Sequence, residues 1–472
     1  MVNVIPGPYS ILRMSVLLFV IPLTLSTFTH IWNAVGFPII LHDEGVLLKR
    51  TMNVLNGLGP QEPERNSYAI ALYDHPYFGQ LFLASIFKVI GFPDLFLSLP
   101  HTSIDGNTSD LFRMIQTLYS VPRICMGILA VIDTFLVYKI AHTYYNRKIV
   151  SILSSALFAV APANYLLRMI SLESILLPFL LFSILLILRL KKHDSLKTNN
   201  GVKTIVSTYS DKKNISVILL SGISLGLAIF TKIPSFTMIP LIAFLVFTYT
   251  KRSLKSLGIW FIPVIFIPAI WPAYAIYHGQ IDFWFDGIWY QATQRIELSL
   301  FDKIVALFTL DPVLLIIGIL GLVYTAIKKD ILLLLWVLPF TLFLYLVGFS
   351  QIHHLVPIIP AFCIAGAKLI TDILNQLIRL GWKKNVKQVK ILAFIMISAL
   401  LIWELVNTTM LITMDFNSWQ FDKFALDVNN LTRKDAGNWV GTGGIDISTI
   451  ENATEIVSNP VYSWIYDLIQ SK

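Results

Sequence analysis

The chain has 472 residues, of which 56% are hydrophobic and only 14% charged, with a formal net charge of +8. Soluble domains run near 45–50% apolar and about 25% charged. The composition therefore excludes a soluble multi-domain protein, a disordered chain, a collagen-like fibre and a disulfide-rich scaffold, and it predicts an all-α polytopic membrane protein.

Apolar runs of about 17–25 residues mark membrane helices. Eleven occur, at roughly 14–32, 117–140, 149–166, 174–190, 215–231, 234–250, 257–277, 312–327, 331–349, 355–374 and 391–412. The first lacks a small-residue cleavage site and opens a series of spans, so it reads as an anchor. A twelfth run, 77–92, carries Lys88 between Pro76 and Pro93 and reads as a juxtamembrane helix lying in the interface. The expected division is a transmembrane domain, 1–412, and a short tail, 413–472.

With 77–92 not crossing, one set of loops holds nineteen basic residues, from Arg147 to Lys390, against only Asp194, Asp211 and Asp330. The opposite set carries eight carboxylates in 33–116, five from Asp282 to Asp311 and eight after 412. Basic loops stay cytoplasmic. The N-terminus is thus expected inside and the tail outside, with 33–116 and 278–311 as long external loops, in a chain of the plasma membrane. The excess of +8 is then a topology signal and points to no nucleic acid. Sequons at Asn107, Asn407, Asn430 and Asn452 fall on the expected outer side, and one at Asn214 inside.

Function in such a chain shows where polar groups resist the hydrocarbon. Asp43 and Glu44 follow the apolar stretch Phe37–Leu41 and open a helix-like segment. Adjacent helical residues point about 100° apart. One carboxylate can therefore act as general base for a hydroxyl while the other orients it, or both cap the helix N-terminus. Arg123, Arg168, Glu173, Lys232 and the run Gln351-Ile-His353-His354 lie at expected outer ends of spans, where cations either bind an anion together or snorkel to headgroups. Trp284, Trp289 and Tyr290 suit sugar stacking or an aromatic belt. Asp133 and Glu404, inside spans, read as structural partners of polar groups. His353 and His354 lack an evident third metal ligand. Cys125 and Cys363 lie in apolar runs and predict neither a disulfide nor a thiol metal site. Gly441-Thr-Gly-Gly reads as a turn, and 191–214 as a linker.

These residues resemble, in order, the landmarks of the GT-C superfamily of polyprenyl-phosphate-dependent glycosyltransferases, in the branch of protein O-mannosyltransferases and lipid A aminoarabinose transferase. Asp43-Glu44 resembles the Asp-Glu motif of the first external loop, and Tyr73-Asp-His75-Pro76 its His-Pro-Pro or Lys-Pro segment. Arg123, in the span ending Tyr138-Lys139, is similar to the third landmark. Arg168 with Leu172-Glu173 resembles the Arg…Leu-Asp element. Thr231-Lys232-Ile-Pro234 resembles Thr-Lys-Gly-Pro, and His354-Leu-Val-Pro357-Ile-Ile-Pro360 resembles Tyr-Leu-Leu-Pro-Leu-Leu-Pro. The resemblance covers about 10–365. Tyr77 replaces the second proline, Glu173 an aspartate, and His353-His354 a Tyr or Arg-Tyr. The tryptophan-rich signature and large external domain of oligosaccharyltransferases are missing, so N-glycan transfer is not expected.

The resemblance implies a polyprenyl-phosphate-linked sugar as donor, with a protein, lipid or glycan hydroxyl as acceptor at the external face. It implies inversion, catalytic roles for Asp43, Glu44 and Glu173, and a donor-phosphate site of His75, Arg123, Arg168, Lys232 and His354. Asp74, Trp289 and Tyr290 would contact sugar or acceptor, and the lipid bilayer is itself a partner. The metal is unassigned: a divalent cation is compatible with this chemistry and not required by it. The rival readings are a non-catalytic GT-C-like scaffold or sensor, which sugar transfer would separate, and a transporter, which solute uptake would separate.

Overall fold

The structure, a computed structural model, describes residues 8–60, 73–97, 108–190, 211–294, 299–348, 351–379, 386–419 and 464–465. Among these the chain is helical with no strand. Residues 191–210 of the expected linker 191–214, the sequons at Asn107, Asn430 and Asn452, the glycine turn at 441 and most of the tail lie outside the described residues, while 211–214 are helical and open the helix Asp211–Thr231.

In chain order the α-helices are α1 Pro8–Ile31, α2 His42–Leu55, α3 Phe78–Ile90, α4 Asp94–Leu97, α5 Thr108–Tyr145, α6 Lys148–Val160, α7 Leu172–Leu190 and α8 Asp211–Thr231. There follow α9 Ile239–Tyr249, α10 Leu254–Tyr277, α11 Ile281–Trp289, α12 Leu300–Leu310, α13 Pro312–Ile327, α14 Ile331–Val347, α15 Ile359–Arg379 and α16 Val386–Ile412. Short 3-10 segments at Pro162–Arg168, Ile233–Met238 and Ile352–Ile358 join α6 to α7, α8 to α9 and α14 to α15.

Six helices among the described residues are long and apolar enough to cross a membrane, or eight if each of two bent pairs is one span. Three of the runs read as spans form shorter apolar helices: Phe19–Ile31, Ile233–Tyr249 and Ile331–Val347. The run 77–92 forms the 13-residue α3, short of the roughly 20 residues a membrane helix needs.

Side-chain volume dictates the layering. The central α7 has 78% of its apolar window buried, whereas α16 has only 17% and shows Phe394, Ile395, Ile402 and Trp403 outward. α5 lies against α1, α6 and α7, while α8 bridges α7 and α10. α15 joins α6 to α13. Close approach of α8 to α10 depends on Gly222 and Gly226, whose added Cβ atoms would lie 2.5 Å from the Trp260 carbonyl and 2.6 Å from that of Pro263. That is the small-xxx-small packing of membrane helices.

α5 has 38 residues, about 57 Å at 1.5 Å per residue, nearly twice the ~30 Å hydrocarbon thickness. Its two ends do different things. At the C-terminal end, Asp330 accepts from the hydroxyls of Tyr144 (3.1 Å) and Tyr145 (2.5 Å), and Asp372 accepts from Arg147, Lys368 and the Tyr324 hydroxyl. The basic loops at 146–148 and 328–330 meet there. At the other end, α2, α3 and the first half of α5 enclose a separate apolar cluster containing Leu48, Leu83, Phe87, Leu118 and Tyr119. Trp464 and Ile465 of the tail enter this cluster, and the Trp464 indole N–H donates to the Tyr119 hydroxyl at 3.3 Å.

The sequon at Asn407 is not at a loop: it lies inside α16, and the Thr408 hydroxyl is buried and donates to the Val160 carbonyl at 2.6 Å. Asp133 is fully buried with no hydrogen-bond partner among the described residues. Glu404, also buried, lies beside Asp311, which caps α13 by accepting from the Leu314 amide at 2.9 Å.

Candidate active site

The segment 32–41 leaves α1 and enters α2 through turns and extended backbone. Such backbone has no helical ladder, and its buried polar groups need other partners. α2 then starts with the two acids side by side, and the structure separates them. Glu44 is fully buried. It accepts from the Leu41 amide at 3.2 Å, which is the backward bond of a capping box, and from the Ile170 amide at 3.0 Å. Both of its oxygens also meet Arg123, with Nη2 at 2.6 Å and Nε at 2.9 Å. Asp43 is exposed. Of the pair, Asp43 alone presents an open carboxylate.

The guanidinium group of Arg123 is likewise occupied, and that of Arg168 is except for Nε, which has no partner among the described residues. Besides Glu44, Arg123 donates to the carbonyls of Ala34 at 3.0 Å and Pro38 at 2.8 Å. Arg168 donates to the carbonyls of Thr29 at 3.0 Å, Trp32 at 2.5 Å and Asn33 at 2.7 Å. The last carbonyls of a helix have no internal partner, and Arg168 supplies one at the end of α1. Both arginines are fully buried. In this structure the bonded N–H groups of the two arginines go to Glu44 and to the backbone that leads to Asp43.

A second charged group lies where α7 begins. Glu173 pairs with Lys232, which stands at the break between α8 and the following 3-10 segment. Its Oε1 also lies 3.8 Å from Nε2 of His353 and 3.9 Å from Nε2 of His354. All four side chains are largely buried. The three cationic or titratable groups around one carboxylate come from α7, the α8 break and the Ile352–Ile358 segment, so three separate sequence landmarks meet. The Glu173, His353 and His354 ligand atoms all lie within 4.8 Å of one another. Metal ligation by this set fits poorly, because the Gln351 amide donates to Nδ1 of His354 at 3.1 Å. That bond places the remaining proton on Nε2, the nitrogen a metal would need, and Lys232 already holds the carboxylate. Glu173 thus stands as the carboxylate shared by Lys232 and the two imidazoles.

The other expected residues separate. Asp74 forms an ion pair with Arg50 at 2.8 Å, which ties the Tyr73–Pro76 segment to α2. The Tyr73 hydroxyl donates to Oε1 of Gln280 at 2.6 Å, and burial pushes this phenol up to about 12. His75 is half-buried next to them. Tyr77 and Phe78 pack with Phe230, Trp271 and Trp284, so Trp284 belongs to an aromatic cluster. Trp289 is 64% exposed, and Tyr290 follows it at the end of α11.

Residues 66–285 match the family described as dolichyl-phosphate-mannose-protein mannosyltransferase. They hold Asp74, His75, Arg123, Arg168, Glu173 and Lys232 in the order read from the sequence. Solved structures carry the same architecture. The chain has the fold of GT-C membrane enzymes.

Among those structures is the oligosaccharyltransferase AglB from Archaeoglobus fulgidus, in complex with an inhibitory peptide and a dolichol-phosphate (TM-score 0.53, 11% identity, 85% of this chain and 56% of that one). The same enzyme tethered to an acceptor peptide containing the NVT sequon matches equally (TM-score 0.53, 12% identity, 85% and 55%). ArnT from Cupriavidus metallidurans bound to undecaprenyl phosphate also matches (TM-score 0.54, 14% identity, 88% and 69%). This chain spans 55% of the length of the archaeal oligosaccharyltransferase. No curated protein sequence matches it. The comparisons thus show the fold of these enzymes and a family match over 66–285, in line with the resemblance.

Sequence reading missed Asn33 and Asn417, which hold the segment that leads to Asp43. Their sequence separation hides them: Asn33 Oδ1 accepts from the nearby Gly36 amide at 3.2 Å, but its Nδ2 reaches Ile412 and Met414, 379 and 381 residues away.

Proposed function

We propose that this protein is an integral membrane glycosyltransferase that moves a sugar from a polyprenyl-phosphate donor to a hydroxyl acceptor on a protein, lipid or glycan, with inversion. The family match over 66–285 carries the reading. It encloses both charged groups of the site except Asp43, Glu44 and the two histidines, on a fold whose solved members hold dolichol-phosphate and undecaprenyl phosphate.

Asp43 is the general base toward the acceptor hydroxyl, because it is the exposed acid on a braced helix start. Lys232, His354 and His75 take the leaving phosphate, where negative charge develops and cations stabilise it; Lys232 reaches it by exchanging Glu173 for phosphate. Trp289 and Tyr290 face sugar or acceptor from α11. The bilayer holds the donor's apolar tail, at about 0.8 kcal/mol per buried methylene. The distribution of basic loops supports the external face of the plasma membrane for this site, with a cytoplasmic N-terminus and an external tail.

The test uses membranes supplied with labelled dolichyl-phosphate-mannose. Asp43→Asn should keep dolichyl-phosphate binding and lose about 10²–10⁴-fold in transfer, the usual worth of a positioned base. Wild-type transfer by Asp43→Asn removes Asp43 from the chemistry. Donor binding with no transfer by the wild-type chain favours a scaffold.

A further inference from the structure

Asn417 lies five residues beyond α16 and far outside the family-matched stretch. It is fully buried. Its Nδ2 donates to the carbonyls of Val35 at 2.6 Å, Pro38 at 2.8 Å and Gly36 at 3.3 Å, and its Oδ1 accepts from the Ile40 amide at 3.0 Å. A carboxamide offers two donors and an acceptor in one plane, which fits this set of carbonyls and one amide. Aspartate would turn acceptors toward carbonyls, and alanine would take away the partner of the buried Ile40 amide and one of the bonds to each carbonyl.

Asn417 is itself held. Asp415 accepts from the amides of Asn417 at 3.2 Å and Ser418 at 3.0 Å, and from the Ser418 hydroxyl at 2.5 Å. From the other side, the Phe416 amide donates to Gly36 at 2.9 Å, and Nδ2 of Asn33 donates to Ile412 at 2.8 Å and Met414 at 3.0 Å. The rings of Phe37 and Phe416 stand 6.0 Å apart. The segment 33–40 is thus gripped by Arg123 from inside the bundle and by Asn417 from the chain beyond the last helix. Asp43 follows three residues after Ile40.

We propose that Asn417 is a positioning residue for the transfer reaction. It fixes residues 34–40 and through them the place of Asp43, so its loss lowers turnover and leaves donor affinity intact. The proposal rests on the reading of Asp43 as the base.

The experiment uses the full chain in lipid nanodiscs, with hydrogen exchange over 33–44, binding of dolichyl phosphate, and turnover of dolichyl-phosphate-mannose. Asn417→Ala should speed exchange in 33–44 about tenfold, as expected for a lost buried hydrogen bond. It should lower kcat about 10–100-fold, the order that small misplacement costs, with dolichyl-phosphate affinity within about twofold. Asp43→Asn should lower kcat and leave exchange in 33–44 unchanged. Asn417→Ser, which keeps one donor, serves where Asn417→Ala does not fold and should show the same pattern at smaller size. Unchanged exchange in 33–44, or donor affinity falling as far as kcat, overturns the proposal. A wild-type chain that shows the exchange difference but transfers no mannose overturns the glycosyltransferase reading and leaves the clamp on 34–40 supported.

Discussion

Glu44 and Arg123 face each other through two hydrogen bonds, of 2.6 and 2.9 Å, with both side chains fully excluded from solvent. A buried pair of this kind is weakly stabilising as a pair, because both ions lose hydration. Removing one partner is a different matter, since it strands the other charge. Arg123→Ala or Glu44→Ala should therefore lower stability by about 3–5 kcal/mol, seen as an early unfolding transition in detergent. The double variant should recover part of the loss. Additive single effects would mean that the two charges act independently.

Lys232 and Glu173 predict an opposite pair of effects on binding. Lys232→Ala removes a phosphate partner and should weaken dolichyl-phosphate binding by about tenfold to a hundredfold, the range of one charge-assisted hydrogen bond. Glu173→Gln removes the carboxylate that competes with phosphate for Lys232, so dolichyl phosphate should bind more tightly while thermal stability falls. Weaker binding by Glu173→Gln would show that Glu173 assists the donor and does not compete with it.

A chelator should not change dolichyl-phosphate binding or transfer. The cluster of Glu173, His353 and His354 has its carboxylate on Lys232 and one imidazole nitrogen on the Gln351 amide, so a metal would have to compete with both bonds. Loss of transfer in EDTA, restored by zinc or manganese, would sink this view of the cluster.

The crossing of α8 and α10 predicts a steric effect far from the charges. Gly222→Val places carbon against the Trp260 carbonyl, 2.5 Å from the added Cβ. Backbone cannot swing aside as a flexible side chain can, so the helices must part. Overpacking of this kind typically costs about 1–3 kcal/mol, read as a lower unfolding midpoint, whereas Gly258→Ala, with open space around its Cβ, should be neutral.

Much of the scaffold was legible because hydrophobic runs and basic loops act over short stretches of chain. α7, α10 and α16 fall where the apolar runs lie, and 77–92 forms the short α3. The order of landmarks from His75 to His354 was legible too, and the structure does bring Glu173, Lys232, His353 and His354 together. What could not be read was which charge answers which. Arg123 and Lys232 look alike in the sequence, each a cation near a span end. One is committed to Glu44 and three backbone carbonyls, the other to a single exchangeable carboxylate. The same limit hid Asn417, whose partners lie 377 to 382 residues away.

The joining of Asn33 to Met414 and of Asn417 to Pro38 also sets an order of assembly. The carbonyls that lead into Asp43 are made early in synthesis, yet half of their grip arrives only after α16 has been built. Until then the segment is completed on one side alone. A chain truncated before Thr413 would contain every helix from α1 to α16 and still lack the contact that finishes the segment leading to its first acid.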